Sequence, residues 1–203
     1  MTERLVNIKL IMSPRTRKQL DILKEERKSQ IMEVAIKLFA ENGFHATSIG
    51  QVAAEAGISK GLVYNYFESK EAMLKEALDQ EFREIDEAIA HADRSNPVNY
   101  LKELLNVYFQ TLRQDFTYHK LLMQISLNLN QFPFYEGYMA QRYEDYYQLL
   151  CELLKEMGLP NPKDEARLLA ALLDGIAVQY LVMQGRYPLD QYQEMLVSKY
   201  CQT

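Results

Sequence analysis

The feature that most constrains the fold is the spacing of apolar residues, which recur every third or fourth position along most of the chain. Ile31, Val34, Ala35, Leu38 and Phe39 show this spacing plainly, and it places them on one face of an α-helix. Only 8 glycines and 6 prolines interrupt the 203 residues. No run alternates apolar and polar residues as a half-buried strand does. The pattern predicts an all-α protein of about nine helices.

Capping and helix-breaking residues predict where these helices begin and end. The Thr47-Ser48 pair, Ser59 and Ser69 can accept hydrogen bonds from the first free amides of a helix. Gly57 and Gly158 are suited to the positive φ angle that often ends one. The predicted helices cover about 25–42, 48–57, 59–66, 69–91, 101–112, 118–125, 139–157, 163–184 and 189–200.

Residues 47–67 contain two short helices separated by a tight turn. Ala53 is small where the two helices must cross, and Gly57 permits the turn four positions later. Val63 follows six positions further on and can pack against the first helix. This spacing is typical of a helix-turn-helix at about 48–67, whose second helix would enter the major groove of DNA.

The side chains on and around the second helix suit that role. Ser59, Lys60 and the backbone at Gly61 lie at a helix N-terminus, which favours a phosphate. Tyr64 and Asn65 could reach base edges, and Tyr66 could donate its hydroxyl to a phosphate. We expect Lys70 to add positive charge at the flank, and we place the Ser48 cap in the same candidate DNA-binding set.

The charge is unevenly distributed along the chain. The formal net charge is −5 overall, but it is +3 through Lys70 and −8 from Glu71 onward. A basic front on an acidic body fits a protein whose first part approaches nucleic acid, although two ordinary solvated surfaces would give the same balance.

The segment from about Glu25 to Ile85 resembles the DNA-binding domain of the TetR/AcrR family of transcriptional repressors. Its core, residues 38–74, reads LFAENGFHATSIGQVAAEAGISKGLVYNYFESKEAML. The resemblance rests on Phe39-Ala40-Glu41-Asn42-Gly43-Phe44, on the Thr-Ser pair, on Ala-Gly at the turn and on Tyr-x-Tyr-Phe before Ser-Lys-Glu. It implies that Thr47 contacts a phosphate. Asn65 departs from the aromatic residue or histidine common at that position, so the base preference could differ from that of relatives.

The resemblance also implies an organisation and a mechanism. A basic N-terminal arm (1–24) would precede the DNA-binding domain (25–71) and an effector-binding and dimerisation domain (72–203). The protein would be a homodimer that binds a palindromic operator. A small amphipathic or aromatic effector would release it by shifting the helix that begins near Ser69.

The first residues leave two alternatives open. Translation could start at Met1 or at Met12, where Met-Ser-Pro-Arg resembles a more usual beginning. Arg15, Arg17 and Lys18 could enter the minor groove as a basic arm, or the segment could be a disordered leader.

Aromatic residues gather in the predicted effector domain, where they could line a cavity or simply fill the core. The candidate ligand-binding residues are Tyr108, Phe109, Met123, Gln124, Tyr143 and Tyr147. The helix at 163–184 is apolar on nearly every side, which suggests that one of its faces meets a partner chain. The candidate dimer-interface residues are Leu168, Leu172, Ile176, Gln179, Met183, Tyr192 and Met195.

Several other classes find no support in the residues. The most apolar stretch carries Asp174 and falls short of the ~20 apolar residues of a membrane span. No secretory signal core is present, so we expect a cytoplasmic protein. No catalytic set, phosphate loop, metal-ligand spacing or cofactor motif is found. A helical adaptor controlled by a protein partner, and an enzyme that uses the aromatic cavity, remain the alternatives.

Overall fold

The computed structural model describes residues 17–114, 116–183 and 186–201. Within these ranges the chain forms nine α-helices, one 3-10 turn and no strand, which confirms the predicted all-α class. The helices are α1 (Arg17–Asn42), α2 (Ile49–Glu55), α3 (Lys60–Tyr64), α4 (Lys70–His91), α5 (Pro97–Gln114), α6 (Phe116–Ser126), α7 (Pro133–Glu156), α8 (Pro162–Met183) and α9 (Leu189–Tyr200). The 3-10 turn is Leu129–Gln131, between α6 and α7. We call residues 17–71 the head and residues 72–201 the body.

Helix α1 begins earlier than the sequence predicted, at Arg17 instead of about residue 25. The added turns contain good helix formers, but their apolar residues Leu20, Ile22 and Leu23 are exposed. Lys18 therefore lies in a helix and not in an extended arm, while Arg15 lies outside the described residues.

The predicted caps are confirmed by the hydrogen bonds at the helix ends. Ser48 and Gln51 form a reciprocal capping box at α2, and the Ser59 and Ser69 hydroxyls accept amide hydrogen bonds at α3 and α4. Gly57 has a φ of 66°, which an L side chain rarely adopts, so the turn between α2 and α3 favours glycine.

The apolar interior is divided into two cores. The first joins the head to α6 and to the start of α7, through buried residues such as Tyr118, Ile125 and Tyr135. The second joins α5, the later part of α7, α8 and α9. Packing therefore unites α6 with the head, while the division of the chain into domains at residue 71 stays a prediction.

Candidate nucleic-acid interface

Helices α2 and α3 pack through the residues that the sequence singled out. Ala53 and Val63 are buried, and the amide of Ile58 donates to the carbonyl of Ala53 at 2.9 Å across the turn. Apolar burial on this side orients α3 so that its other side faces outward. The predicted helix-turn-helix geometry is therefore present, although α3 ends at Tyr64 and not at Tyr66.

The outward face of α3 carries several of the predicted contact residues. Lys60, Gly61 and Asn65 are exposed, and Tyr64 is 48% exposed. Within the described residues, neither the Lys60 ammonium nor the Tyr64 hydroxyl makes a hydrogen bond or ion pair, so both are available to an external partner. Tyr66 differs from them, because it is half-buried against the first core.

The Thr47 hydroxyl does not face outward, as the phosphate contact implied by the resemblance would require. It is only 2% exposed, and its hydroxyl donates to the Gly43 carbonyl at 2.9 Å and lies 3.2 Å from the Leu38 carbonyl. A hydroxyl held inside the head cannot reach a phosphate without rearrangement. In this structure Thr47 fixes the loop between α1 and α2, and exposed Ser48 is the neighbour that remains accessible.

Lys70 also turns inward, toward the same loop. Its Nζ donates to the carbonyls of Phe44 at 2.6 Å and Thr47 at 2.9 Å, and lies 3.5 Å from that of His45. The ammonium also lies 4.3 Å from the centroid of the Phe44 ring, within cation–π range. The predicted flanking charge is therefore engaged in holding the loop before α2.

The six predicted ligand-binding residues differ in burial and in the contacts they make, and none of them lines the cavity described below. Phe109 is fully buried in the second core, whereas Tyr143 is largely exposed. The Tyr108 hydroxyl donates to the Leu173 carbonyl at 2.5 Å, and burial raises its pKa. Gln124 faces the head, where its Nε2 lies 3.4 Å from the Ala40 carbonyl. The remaining two, Met123 and Tyr147, are half-buried and lie on α6 and α7.

A cavity of about 220 Å³ lies instead between α4, α5 and α6. Its lining combines one carboxylate, amides and hydroxyls with apolar side chains. The lining residues are Glu84, Ile85, Ala88, Val107, Gln110, Thr111, Gln114, Tyr118 and His119. Sequence reasoning did not predict this site. The three faces that meet here show no shared signal along the chain.

An arginine cluster fastens the outer side of α4 to α7. The Arg142 guanidinium forms a bidentate salt bridge with Asp86 at 2.8 and 2.9 Å and lies 4.3 Å from the centroid of the Phe82 ring. It also contacts the Tyr146 hydroxyl. Hydrogen bonds from Arg142 hold the pKa of Asp86 below its usual value, and burial raises the pKa of Tyr146 to about 12. This cluster was not predicted, because its partners are 56 residues apart.

Most of the predicted dimer residues lie on an uncovered surface. Leu168, Leu172, Gln179, Met183 and Met195 are exposed. Two predictions in this set need correction, because α8 and α9 also pack within the body. Ile176 is buried in the second core, and half-buried Tyr192 stacks on Tyr187 at a centroid distance of 4.9 Å.

Helix α8 has an uncovered apolar stripe that extends this surface. Leu168, Leu172, Val178 and Val182 are exposed, and Val182 reaches 73%. By length and composition α8 could also cross a membrane. A single helix of this kind is weak evidence for a membrane span, and packing against a second protein chain would cover the same stripe.

Comparisons with known proteins agree with this architecture. The family model described as "Bacterial regulatory proteins, tetR family" matches residues 31–77, and that of the "Tetracyclin repressor-like, C-terminal domain" matches residues 101–198. The HTH-type transcriptional regulator YerO of Bacillus subtilis (strain 168) is 36% identical over 115 residues, which cover 53% of this chain and 37% of YerO. Across four curated relatives, the matched segments span between 31% and 55% of the relative's length.

Solved structures of other transcriptional regulators share the fold. A TetR-like transcriptional regulator from Rhodococcus sp. RHA1 superposes with a TM-score of 0.68 at 26% identity, covering 85% of this chain and 92% of that one. A transcriptional regulator from Saccharomonospora viridis in complex with choline gives a TM-score of 0.72 at 23% identity, covering 85% and 94%.

The fold, the helix-turn-helix and these matches define the class of the chain as a two-part, all-α protein with an N-terminal helix-turn-helix. The chain belongs to the TetR/AcrR family. The relatives and neighbours reported above are regulators, so the enzyme alternative is not favoured. The individual DNA, ligand and dimer contacts stay predictions.

Proposed function

We propose that this protein is a sequence-specific, DNA-binding transcriptional repressor that acts in the cytoplasm. The observation that carries the proposal is the outward face of α3, where Lys60 and Tyr64 lie free on the second helix of a helix-turn-helix. A major groove about 12 Å wide admits such a helix, a lysine contacts phosphate, and tyrosine and asparagine side chains reach bases. A helical adaptor controlled by a protein partner would not need the exposed polar face of α3.

Two substitutions test the face directly. Lys60→Ala and Tyr64→Ala should each weaken binding to a selected operator, because each removes a contact to the duplex. The lysine change should also reduce the slope of log K against log salt by about 1, the value for one phosphate contact. Fluorescence anisotropy titrations at several salt concentrations measure both effects. Lys155→Ala, on α7 of the body, is the matched control, and unchanged affinity in both head variants would contradict the assignment.

The exposed stripe on α8 supports a proposed homodimer. Positions 168, 172, 175, 178, 179 and 182 recur at helical spacing, so Leu168, Leu172, Val178 and Val182 share one face around Gly175. A two-fold axis would pair this face with its copy, and two recognition helices about 34–36 Å apart would then bind a palindromic site.

A charge placed in the stripe tests the dimer. Val178→Asp should produce a monomer in analytical ultracentrifugation at micromolar concentration, because a buried unpaired carboxylate opposes association. Leu127→Asp alters an exposed leucine elsewhere and should leave the wild-type dimer intact. A wild-type monomer, or a Val178→Asp dimer of unchanged stability, would refute the interface.

The cavity between α4, α5 and α6 is the proposed effector site. Its mixed lining supports a small amphipathic molecule, and its volume of about 220 Å³ is below the ~300–1,000 Å³ of drug-sized sites. The choline complex of the Saccharomonospora viridis neighbour supports a small-molecule effector on this fold. Such an effector would release DNA only if it binds the DNA-incompetent state more tightly than the competent one.

A further inference from the structure

Helix α6 packs in the same core as the head, and its first turn lines the cavity. Its buried residues Tyr118, Leu121 and Ile125 lie in the same core as the residues of α1 to α4. At its beginning, Tyr118 and His119 line the cavity opposite α5, which packs in the other core. A molecule in the cavity would therefore contact elements of both cores at once.

The far end of α6 leads to a contact with the loop before α2. After α6 and the 3-10 turn, Phe132 is only 5% exposed. The centroid of its ring lies 5.3 Å from that of Phe44 and 5.5 Å from that of His45. Phe44 and His45 belong to the loop that Thr47 and Lys70 hold, and this loop ends at the cap of α2.

The distance between these two ends is bridged by a regular element. Helix α6 has 11 residues, which correspond to about 16 Å at 1.5 Å per residue. A helix buried along one side moves as a unit, so displacement at Tyr118 is delivered to the following turn. If the Phe132 ring moves with α6, it either pushes the loop that contains Phe44 or loses its contact with that loop.

We propose that Phe132 is a positioning residue that transmits occupancy of the cavity to the loop holding α2. This route runs through α6 and is additional to the one through α4 that the family resemblance implies. The proposal rests on the proposed function, since it makes the cavity the effector site. Phe132 is buried and is not one of the residues that line the cavity, and its role is to make the head respond.

A steric surrogate tests the route without knowledge of the effector. Thr111→Trp places an indole in the cavity from α5, and hydrogen exchange of the full-length protein without DNA reports local opening of residues 40–48. We expect Thr111→Trp to change exchange in this segment by at least about 5-fold, the lower end of usual coupling between sites. In a Phe132→Ala background the same substitution should leave the segment unchanged.

Matched variants separate coupling from simple loss of packing. Phe134→Ala removes a neighbouring ring that is partly exposed and has no ring contact with the head among the described residues, so the response to Thr111→Trp should persist. Circular dichroism checks folding, and Phe132→Leu, which keeps apolar bulk at the site, replaces the alanine variant if that variant unfolds. The leucine variant should also lose the response.

Two results would overturn the proposal. One is an equal response of residues 40–48 to Thr111→Trp with and without Phe132. The other is a response confined to α4. Failure of the wild-type protein to bind any duplex would refute the proposed function instead, and the exchange result, measured without DNA, would still decide the role of Phe132.

Discussion

The inward position of Lys70 leads to a prediction that distinguishes a structural role in the loop before α2 from a role in binding phosphate. Replacing it in Lys70→Met keeps most of the unbranched stem and removes the ammonium. The structure places that ammonium on the carbonyls of Phe44 and Thr47, at 2.6 and 2.9 Å, and against the Phe44 ring. The sequence had instead predicted that Lys70 adds charge toward DNA.

The expected loss of stability follows from these contacts. A hydrogen bond to a charged group contributes about 1.5–3 kcal/mol, and a cation–π contact about 0.5–1 kcal/mol at an exposed site. Lys70 is only half-buried, and water can reach part of the freed carbonyl surface, so we take a total of about 2–3 kcal/mol. For a chain of 203 residues this lowers the melting temperature by roughly 5–10 °C.

Thermal melts and operator titrations together provide the assay. Lys70→Met should melt lower than wild type, while the salt dependence of its DNA binding stays unchanged because no phosphate contact is lost. Lys60→Met is the matched comparison, and it should melt like wild type and reduce the salt slope by about 1. If Lys70→Met kept the wild-type melting temperature and reduced the salt slope, Lys70 would be a phosphate ligand and the inward role would be refuted.

Two further predictions concern other polar contacts. Thr47→Val should lower the free energy of unfolding by about 1–2 kcal/mol without changing the salt slope, because its hydroxyl donates inward to Gly43; unchanged stability in a urea melt would refute this. Asp86→Asn should lower the free energy of unfolding by about 1 kcal/mol at pH 7, because it weakens the salt bridge with Arg142. The value is small because the Asp86 carboxyl is half-exposed. Because the pKa of Asp86 is lowered by folding, this stabilisation is present above the unfolded pKa of about 3.9 and is lost as the pH falls through the lower folded value. Urea melts at pH 7 and pH 3 should therefore show a smaller difference at pH 3 than at pH 7, and an equal difference at both would contradict the salt-bridge explanation.

Local signals in the sequence were enough to predict the helix-turn-helix. Serine caps, the glycine turn and the spacing of Ala53 and Val63 act within a few residues, and each appears in the structure. The early start of α1 was missed because the added turns have exposed apolar residues and no core-facing stripe. Their helical form follows from intrinsic propensity, which the apolar pattern does not report.

Contacts between distant segments could not be predicted in the same way. Thr47 and Lys70 are polar residues beside a DNA-binding motif, and only the path of the loop shows that both face inward. The cavity depends on how three helices cross, and the contact of Phe132 with Phe44 joins residues 88 positions apart, which no local pattern specifies. Such features depend on tertiary packing and are visible only in the folded chain.

Selection of bound sequences from random duplex DNA with the purified protein tests the central claim most directly. The enriched pool is then titrated at two salt concentrations to separate specific from non-specific binding. A two-fold symmetric motif with half-sites about one helical turn apart, bound far more tightly than random DNA, is the predicted result. Enrichment of no motif, with only weak and strongly salt-dependent binding, would contradict the assignment of α3 as a recognition helix.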